Sequence, residues 1–146
     1  MGIASRPKVG VERHIAAPTA VVWQILVDLE DWPRWGPSVS AATLDDGRRE
    51  IGAGSTGRVR TAVGAELPFR VTEFTPGRRW AWAVAGVAAT THEVKTDGEG
   101  CRVRFEAPWW AAAYLAVCAV ALGRIARLAA TRPTCRAGSP AAGTRR

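Results

Sequence analysis

The chain has 146 residues, of which 47% are hydrophobic and 23% charged. That length suits one domain with a core large enough to fold without disulfide or metal, and the composition excludes an intrinsically disordered chain. The net charge of +7 belongs to one end: from Arg124 onward there are six arginines and no acid, whereas residues 1–123 carry 14 basic and 13 acidic side chains, which argues against a nucleic-acid-binding body.

In chain order, residues 1–8 read as a flexible leader. Arg6 stands where the myristoylation pattern needs Ser or Thr, and no apolar N-terminal run resembles a signal peptide. The cysteines are three, Cys101, Cys118 and Cys135, none at metal-ligand spacing. Reduced thiols in a cytoplasmic setting are therefore expected, with no metal and no cofactor. "VGVERHI" (9–15) alternates as a strand with Val9, Val11 and Ile15 on one face. Arg13 shares that face. It must pair with an acid, reach solvent, or meet a carboxylate or phenolate group of a ligand.

"AAPTA" breaks the strand, and Thr19 is a candidate cap for the helix that follows. "AVVWQILVDL" (20–29) places Val22, Ile25, Leu26 and Leu29 on one stripe of an amphipathic helix, with Trp23 as core. Pro33 in "DWPRWG" allows one further short helix or turn. Trp32 and Trp35 flank that proline, as caps of the core or as walls of a pocket, and Trp35 is the better wall candidate.

Turn signals then recur: "DDG" at 45–47, "GAG" at 52–54, "PG" at 76–77 and "DGEG" at 97–100. Between them lie six strand-like runs, "SVSAATLD", "STGRVRTAV", "LPFRVTEFT", "RRWAWAVAG", "AATTHEVKT" and "CRVRFEA", which predict an antiparallel sheet. Trp80 and Trp82 are two apart and share a face, expected to be the inner one. Phe105 in the last run joins them as a candidate ligand contact. His92 has the parity of Val94 and is expected inside, either as a satisfied interior histidine or as a group that orients a ligand carbonyl or acts as a base. No second base, nucleophile or metal ligand accompanies it at a diagnostic spacing.

"PWWAAAYLAVCAVALGRIARLAA" (108–130) predicts a helix of about 22 residues, roughly 33 Å long, with Pro108 at its first position. Leu115, Cys118, Leu122, Ile125 and Ala129 form one stripe; Ala113, Ala116, Val120, Arg124 and Arg127 lie opposite. A core helix grasped by the sheet is the expected role. A membrane span and a dimer interface are alternatives, although the uncharged run at 107–123 is shorter than the roughly 20 residues a span needs. Residues 131–146 read as a disordered basic tail.

The order is a strand, two short helices, six strands and a long helix. "IAAPTAVVWQILVDLEDWPRWGP" resembles the N-terminal signature of the START-like, helix-grip superfamily (SRPBCC), which includes polyketide cyclase/dehydrase and lipid-transport proteins. The matching residues are Ile15, Ala17-Pro18, Val22-Trp23, Asp28 and Trp32-Pro33-Arg34-Trp35. "FRVTEFTPGRRWAW" and "HEVKTDGEGCRVRF" resemble later segments of the same family, and the likeness covers residues 9 to about 130. It implies an α+β fold in which a seven-stranded curved antiparallel sheet grips the C-terminal helix, with a hydrophobic cavity between the two.

The expected function is binding of an apolar small molecule or lipid in that cavity by Arg13, Trp35, Trp80, Trp82, His92 and Phe105. One alternative is a polyketide aromatase or cyclase with His92 as the candidate catalytic residue and Arg13 next. Another is a membrane-associated or protein-interaction module using the 107–130 helix. No nucleic-acid partner is expected. The Ala-, Arg- and Gly-rich composition points to a GC-rich bacterial genome.

Overall fold

The computed structural model describes residues 8–132. The first strand, β1 (Lys8–Ile15), leads into α1 (Thr19–Val27) and α2 (Trp32–Trp35). Then come β2 (Val39–Leu44), β3 (Thr56–Thr61), β4 (Glu66–Thr75), β5 (Arg79–Val84), β6 (Val87–Asp97) and β7 (Gly100–Pro108). A 3-10 segment at Trp109–Tyr114 precedes α3 (Leu115–Thr131). The strands form one antiparallel sheet in the order β1-β7-β6-β5-β4-β3-β2. Successive hairpins build β2 to β7, and β1 returns to pair with β7, so β1 and β2 are the two edges. Register shifts at Val39/Ala41, Val71/Glu73 and Ala81/Ala83 are the bulges that let such a sheet bend around a helix.

The expected α+β helix-grip architecture is therefore present. α3 packs on β1 and β7 and meets α1 and α2. Its buried stripe is Cys118, Ala121, Leu122, Ile125 and Ala129; Ala121 joins the predicted face, and Leu115 of that face is only half-buried. The core joins this stripe to Val22, Ile25 and Leu26 of α1 and to Val71, Val94, Val103 and Phe105 of the sheet.

Several boundaries differ from expectation. Thr19 is the first residue of α1, and the position before it is Pro18, with no side-chain cap. The predicted 22-residue helix is shorter: Pro108 is the last residue of β7, opposite Lys8, and a kink at Ala111 (φ −108, ψ 27) lies inside the 3-10 segment. A proline lacking its N–H is tolerated at a strand end, so the chain leaves the sheet there instead of entering a helix. Lys8 already belongs to β1, and the C-terminal helix reaches Thr131. The remainder of the expected leader and tail, with Cys135, lies outside the described residues. Trp109–Thr131, 23 residues with a hydropathy of 1.6, is long and apolar enough to cross a membrane by length and composition. The stripe of α3 against the sheet and the helices accounts for its apolar seam.

Trp32 and Trp35 finish α1. The last four carbonyls of a helix lack partners within it or rely on its final amides, and here each is satisfied. The Asp28 amide donates to Gln24 O and the Ile51 amide to Val27 O at 3.1 Å. Trp35 Nε1 donates to Ile25 O at 3.0 Å and Trp32 Nε1 to Leu26 O at 2.9 Å. Two tryptophans three apart on one helical turn lie on the same side of α2, so both indoles reach the end of α1 together.

Candidate functional site

The spacing of Trp80 and Trp82 on β5, with His92 beside Trp80 on β6 and Phe105 beside His92 on β7, gathers rings on the inner face of the sheet. Trp80 lies between two of them: parallel to Trp32 at 5.4 Å between centroids and nearly parallel to His92 at 3.9 Å. Phe105 meets His92 edge-on at 4.6 Å, and Trp35 meets Phe105 edge-on at 5.7 Å. Trp82 contacts Trp32 edge-on at 5.3 Å. Such edge and offset contacts suit the ring quadrupoles.

A hydrogen-bonded chain runs through this cluster. His92 Nδ1 lies 3.3 Å from Trp80 O, and Nε2 lies 2.9 Å from Thr90 Oγ1. A carbonyl only accepts, so Nδ1 carries the proton and Nε2 accepts from the Thr90 hydroxyl. Thr90 Oγ1 in turn accepts from Trp82 Nε1 at 3.0 Å. Both nitrogens of the imidazole are thus engaged in its neutral form. Burial lowers the pKa of His92 to about 3, with the Arg79 charge adding to the effect against the Trp80 carbonyl bond. His92 is a neutral, fully bonded interior histidine in this conformation.

Two cavities open on the cluster. An inner one of about 30 Å³ is walled by Trp32, Trp35, Trp80, His92, Phe105 and Cys118, among others. Burial raises the Cys118 thiol to about 11, so it stays protonated. An outer groove of about 480 Å³ runs between the 3-10 segment and the sheet, lined by Val59, Val84, Val87, Ala107, Trp110 and Tyr114 together with small residues between them. Ser38, Val39, Trp82, Thr90 and Tyr114 line both. The Ser38 and Tyr114 hydroxyls are hydrogen-bonded at 2.7 Å. No charged side chain lines either cavity among the described residues.

Of the residues singled out from sequence, Trp35, Trp80, Trp82, His92 and Phe105 converge here. Arg13 does not. It is exposed and lines neither cavity. Its register partner is the buried Val103, so its parity is inward as expected, but β1 is an edge strand and a long side chain escapes round the edge into water. Trp23 is only partly buried, against Phe74.

Sequence reasoning missed Ser38, Tyr114, Trp110, Val84 and Val87. The last two flank a two-residue turn whose signal was the Ala85-Gly86 pair. Trp110 and Tyr114 depend on how the chain leaves β7, and Ser38 on the loop between α2 and β2. It also missed the buried carboxylates at the far end of α3. Asp31 receives Arg132 at 2.8 Å, and Asp28 receives Arg49 at 2.8 Å. Burial alone would raise the Asp28 carboxyl, but the Arg49 hydrogen bond, the Glu30 amide and the charges of Arg49 and Arg132 outweigh it and hold the pKa below its ordinary value.

Residues 6–136 match the family described as polyketide cyclase / dehydrase and lipid transport. The chain belongs to this family. Solved structures of other proteins share the fold. Protein MLL2253 from Mesorhizobium loti superposes with a TM-score of 0.69 at 14% identity, covering 87% of this chain and 100% of that one. The Aha1 dimer from Colwellia psychrerythraea gives 0.64 at 19% identity, covering 84% and 96%. DynU16, described as a protein in the dynemicin biosynthetic locus, gives 0.65 at 20% identity, covering 87% of this chain and 48% of its own. At these identities the likeness shows the fold. No curated protein matches the sequence.

Proposed function

We propose that this polyketide cyclase/dehydrase and lipid-transport family member binds an uncharged, largely apolar small molecule or lipid in the outer groove. The observation that carries this reading is the groove itself: about 480 Å³ with an uncharged lining of valine, alanine and aromatic side chains. Small-molecule pockets span about 300–1,000 Å³ and share this apolar character with a few polar groups. The polar side chains here are the Ser38–Tyr114 pair, Thr61 and Thr90.

An acid–base role for His92 has less support. A base at that position would have to give up the Thr90 hydrogen bond and take a proton deep in an apolar cluster, which burial opposes. Holding a ligand in shape needs no such step, so binding is the reading favoured over turnover.

The test is titration of the protein with methyl naphthyl ketone, followed by the fluorescence of Trp82 and Trp110 in the groove wall. Micromolar binding is expected, weakened at least about tenfold by Ala89→Trp, which fills the groove without touching the core. Equal affinity in wild type and A89W would remove the groove as the site.

A further inference from the structure

Trp80 holds the single buried side-chain nitrogen or oxygen that lacks a hydrogen-bond partner among the described residues, its indole Nε1. Trp80 is 1% exposed, so bulk water does not serve it. The neighbouring polar groups are already committed to one another: Trp82 Nε1 to Thr90, Thr90 to His92 Nε2, and His92 Nδ1 to the Trp80 carbonyl. Trp32 and Trp35, the other two indoles of the cluster, donate to the end of α1. Trp80 alone keeps a free donor.

An indole N–H donates and does not accept, so its partner must be an acceptor. The inner cavity that Trp80 helps to wall measures about 30 Å³, the space of about one oxygen-sized group. No charged side chain lines it. A carboxylate or phosphate there would be desolvated with no counter-charge, a penalty that a neutral oxygen avoids. The inner cavity and the outer groove share five lining residues, so a molecule whose apolar body fills the groove presents its leading end to the inner cavity.

We propose that the groove's ligand carries a neutral carbonyl oxygen at its leading end, and that Trp80 Nε1 donates to that oxygen in the inner cavity. This rests on the reading that the groove binds an apolar small molecule, and it names the ligand class: ketones, quinones or esters on an apolar body. Trp80 is then the residue that sets the ligand's direction in the groove. The stacking of its ring between Trp32 and His92 holds the donor fixed before the ligand arrives.

The test compares two compounds of nearly the same shape. Methyl naphthyl ketone has the oxygen; isopropenylnaphthalene has a methylene in its place. The ketone is expected to bind about tenfold more tightly. In the wild-type protein the Trp80 indole N–H resonance, assigned by its contacts to the Trp32 and His92 rings, should move downfield with the ketone and stay in place with the alkene. Trp80→Phe should abolish the preference, so that ketone and alkene bind the variant with equal affinity. Should W80F fail to fold, the wild-type resonance decides alone. Equal affinities with an unmoved Trp80 N–H overturn this inference and leave groove binding standing. If neither compound binds, both readings fall.

Discussion

Ser38 and Tyr114, 76 positions apart in sequence, share a 2.7 Å hydrogen bond between their hydroxyls, and both line the inner cavity and the outer groove. The bond ties the loop between α2 and β2 to the 3-10 segment at the point where the two spaces adjoin. Ser38→Ala and Tyr114→Phe should each speed the association of methyl naphthyl ketone several-fold in stopped-flow fluorescence. Each should cost less than about 1 kcal/mol of stability, because the bond is exposed to water. The double variant should associate no faster than either single one, since both remove the same bond.

His92 predicts a pH dependence. Its pKa is lowered to about 3 by burial, while an unfolded histidine titrates near 6.5. Between those values the unfolded chain binds a proton that the folded protein refuses. Stability therefore falls as pH drops from about 6.5 toward 3, with a slope approaching about 1.4 kcal/mol per pH unit. The urea midpoint should decrease from pH 7 to pH 5 in wild type and decrease less in His92→Gln. His14 is present in both proteins, so the difference isolates His92. Asp28 adds a second loss at lower pH, as its carboxyl, held below its ordinary range, finally protonates.

Arg132 should be a stability determinant although it lies just past the end of α3. Its guanidinium makes two hydrogen bonds to Asp31, at 2.8 and 3.3 Å, and the Asp31 side chain is 6% exposed. Arg132→Ala leaves a buried carboxylate with only the more distant Arg34 at 3.5 Å. A loss of about 1–3 kcal/mol in chemical denaturation is expected, less than for a fully buried pair because Arg132 is partly in water. An unchanged denaturation midpoint would show that Asp31 finds other partners.

The hairpin at the groove rim should be improvable. Ala85 and Gly86 join β5 to β6 with φ of 52° and 82°, the signs of a type I′ turn. Alanine in the left-handed region costs about 1 kcal/mol, whereas asparagine is tolerated there. Ala85→Asn should raise stability by about 0.5–1 kcal/mol, read as a higher melting temperature. The turn touches the groove only through its flanking valines, so ligand affinity should not change.

Much of the fold was legible because it is written in local periodicity. Alternation marked β1, recurring turn signals delimited the strand-like runs after it, and the 3.6-residue spacing of Cys118, Leu122, Ile125 and Ala129 marked the buried stripe of α3. The shared parity of Trp80 and Trp82 correctly placed both on the inner face. Arg13 shows the limit of parity: it has the inward register of Val103, yet at an edge strand that register leads to solvent. The start of the last helix shows another. Pro108 suits a helix N-terminus and a strand end equally, and only pairing with Lys8 decided between them.

By itself the sequence determined the main elements, their order, much of the core and the family to which the chain belongs, since these follow from side-chain period and from contiguous motifs. The tertiary structure decided everything that depends on which groups are left over. Whether His92 is a free base or a bonded one depends on Thr90 and on a carbonyl of another strand. Trp32 and Trp35 are spent on the end of α1, and Trp80 is not. No sequence period reports that difference, because hydrogen-bond satisfaction is settled by atoms brought together from distant parts of the chain.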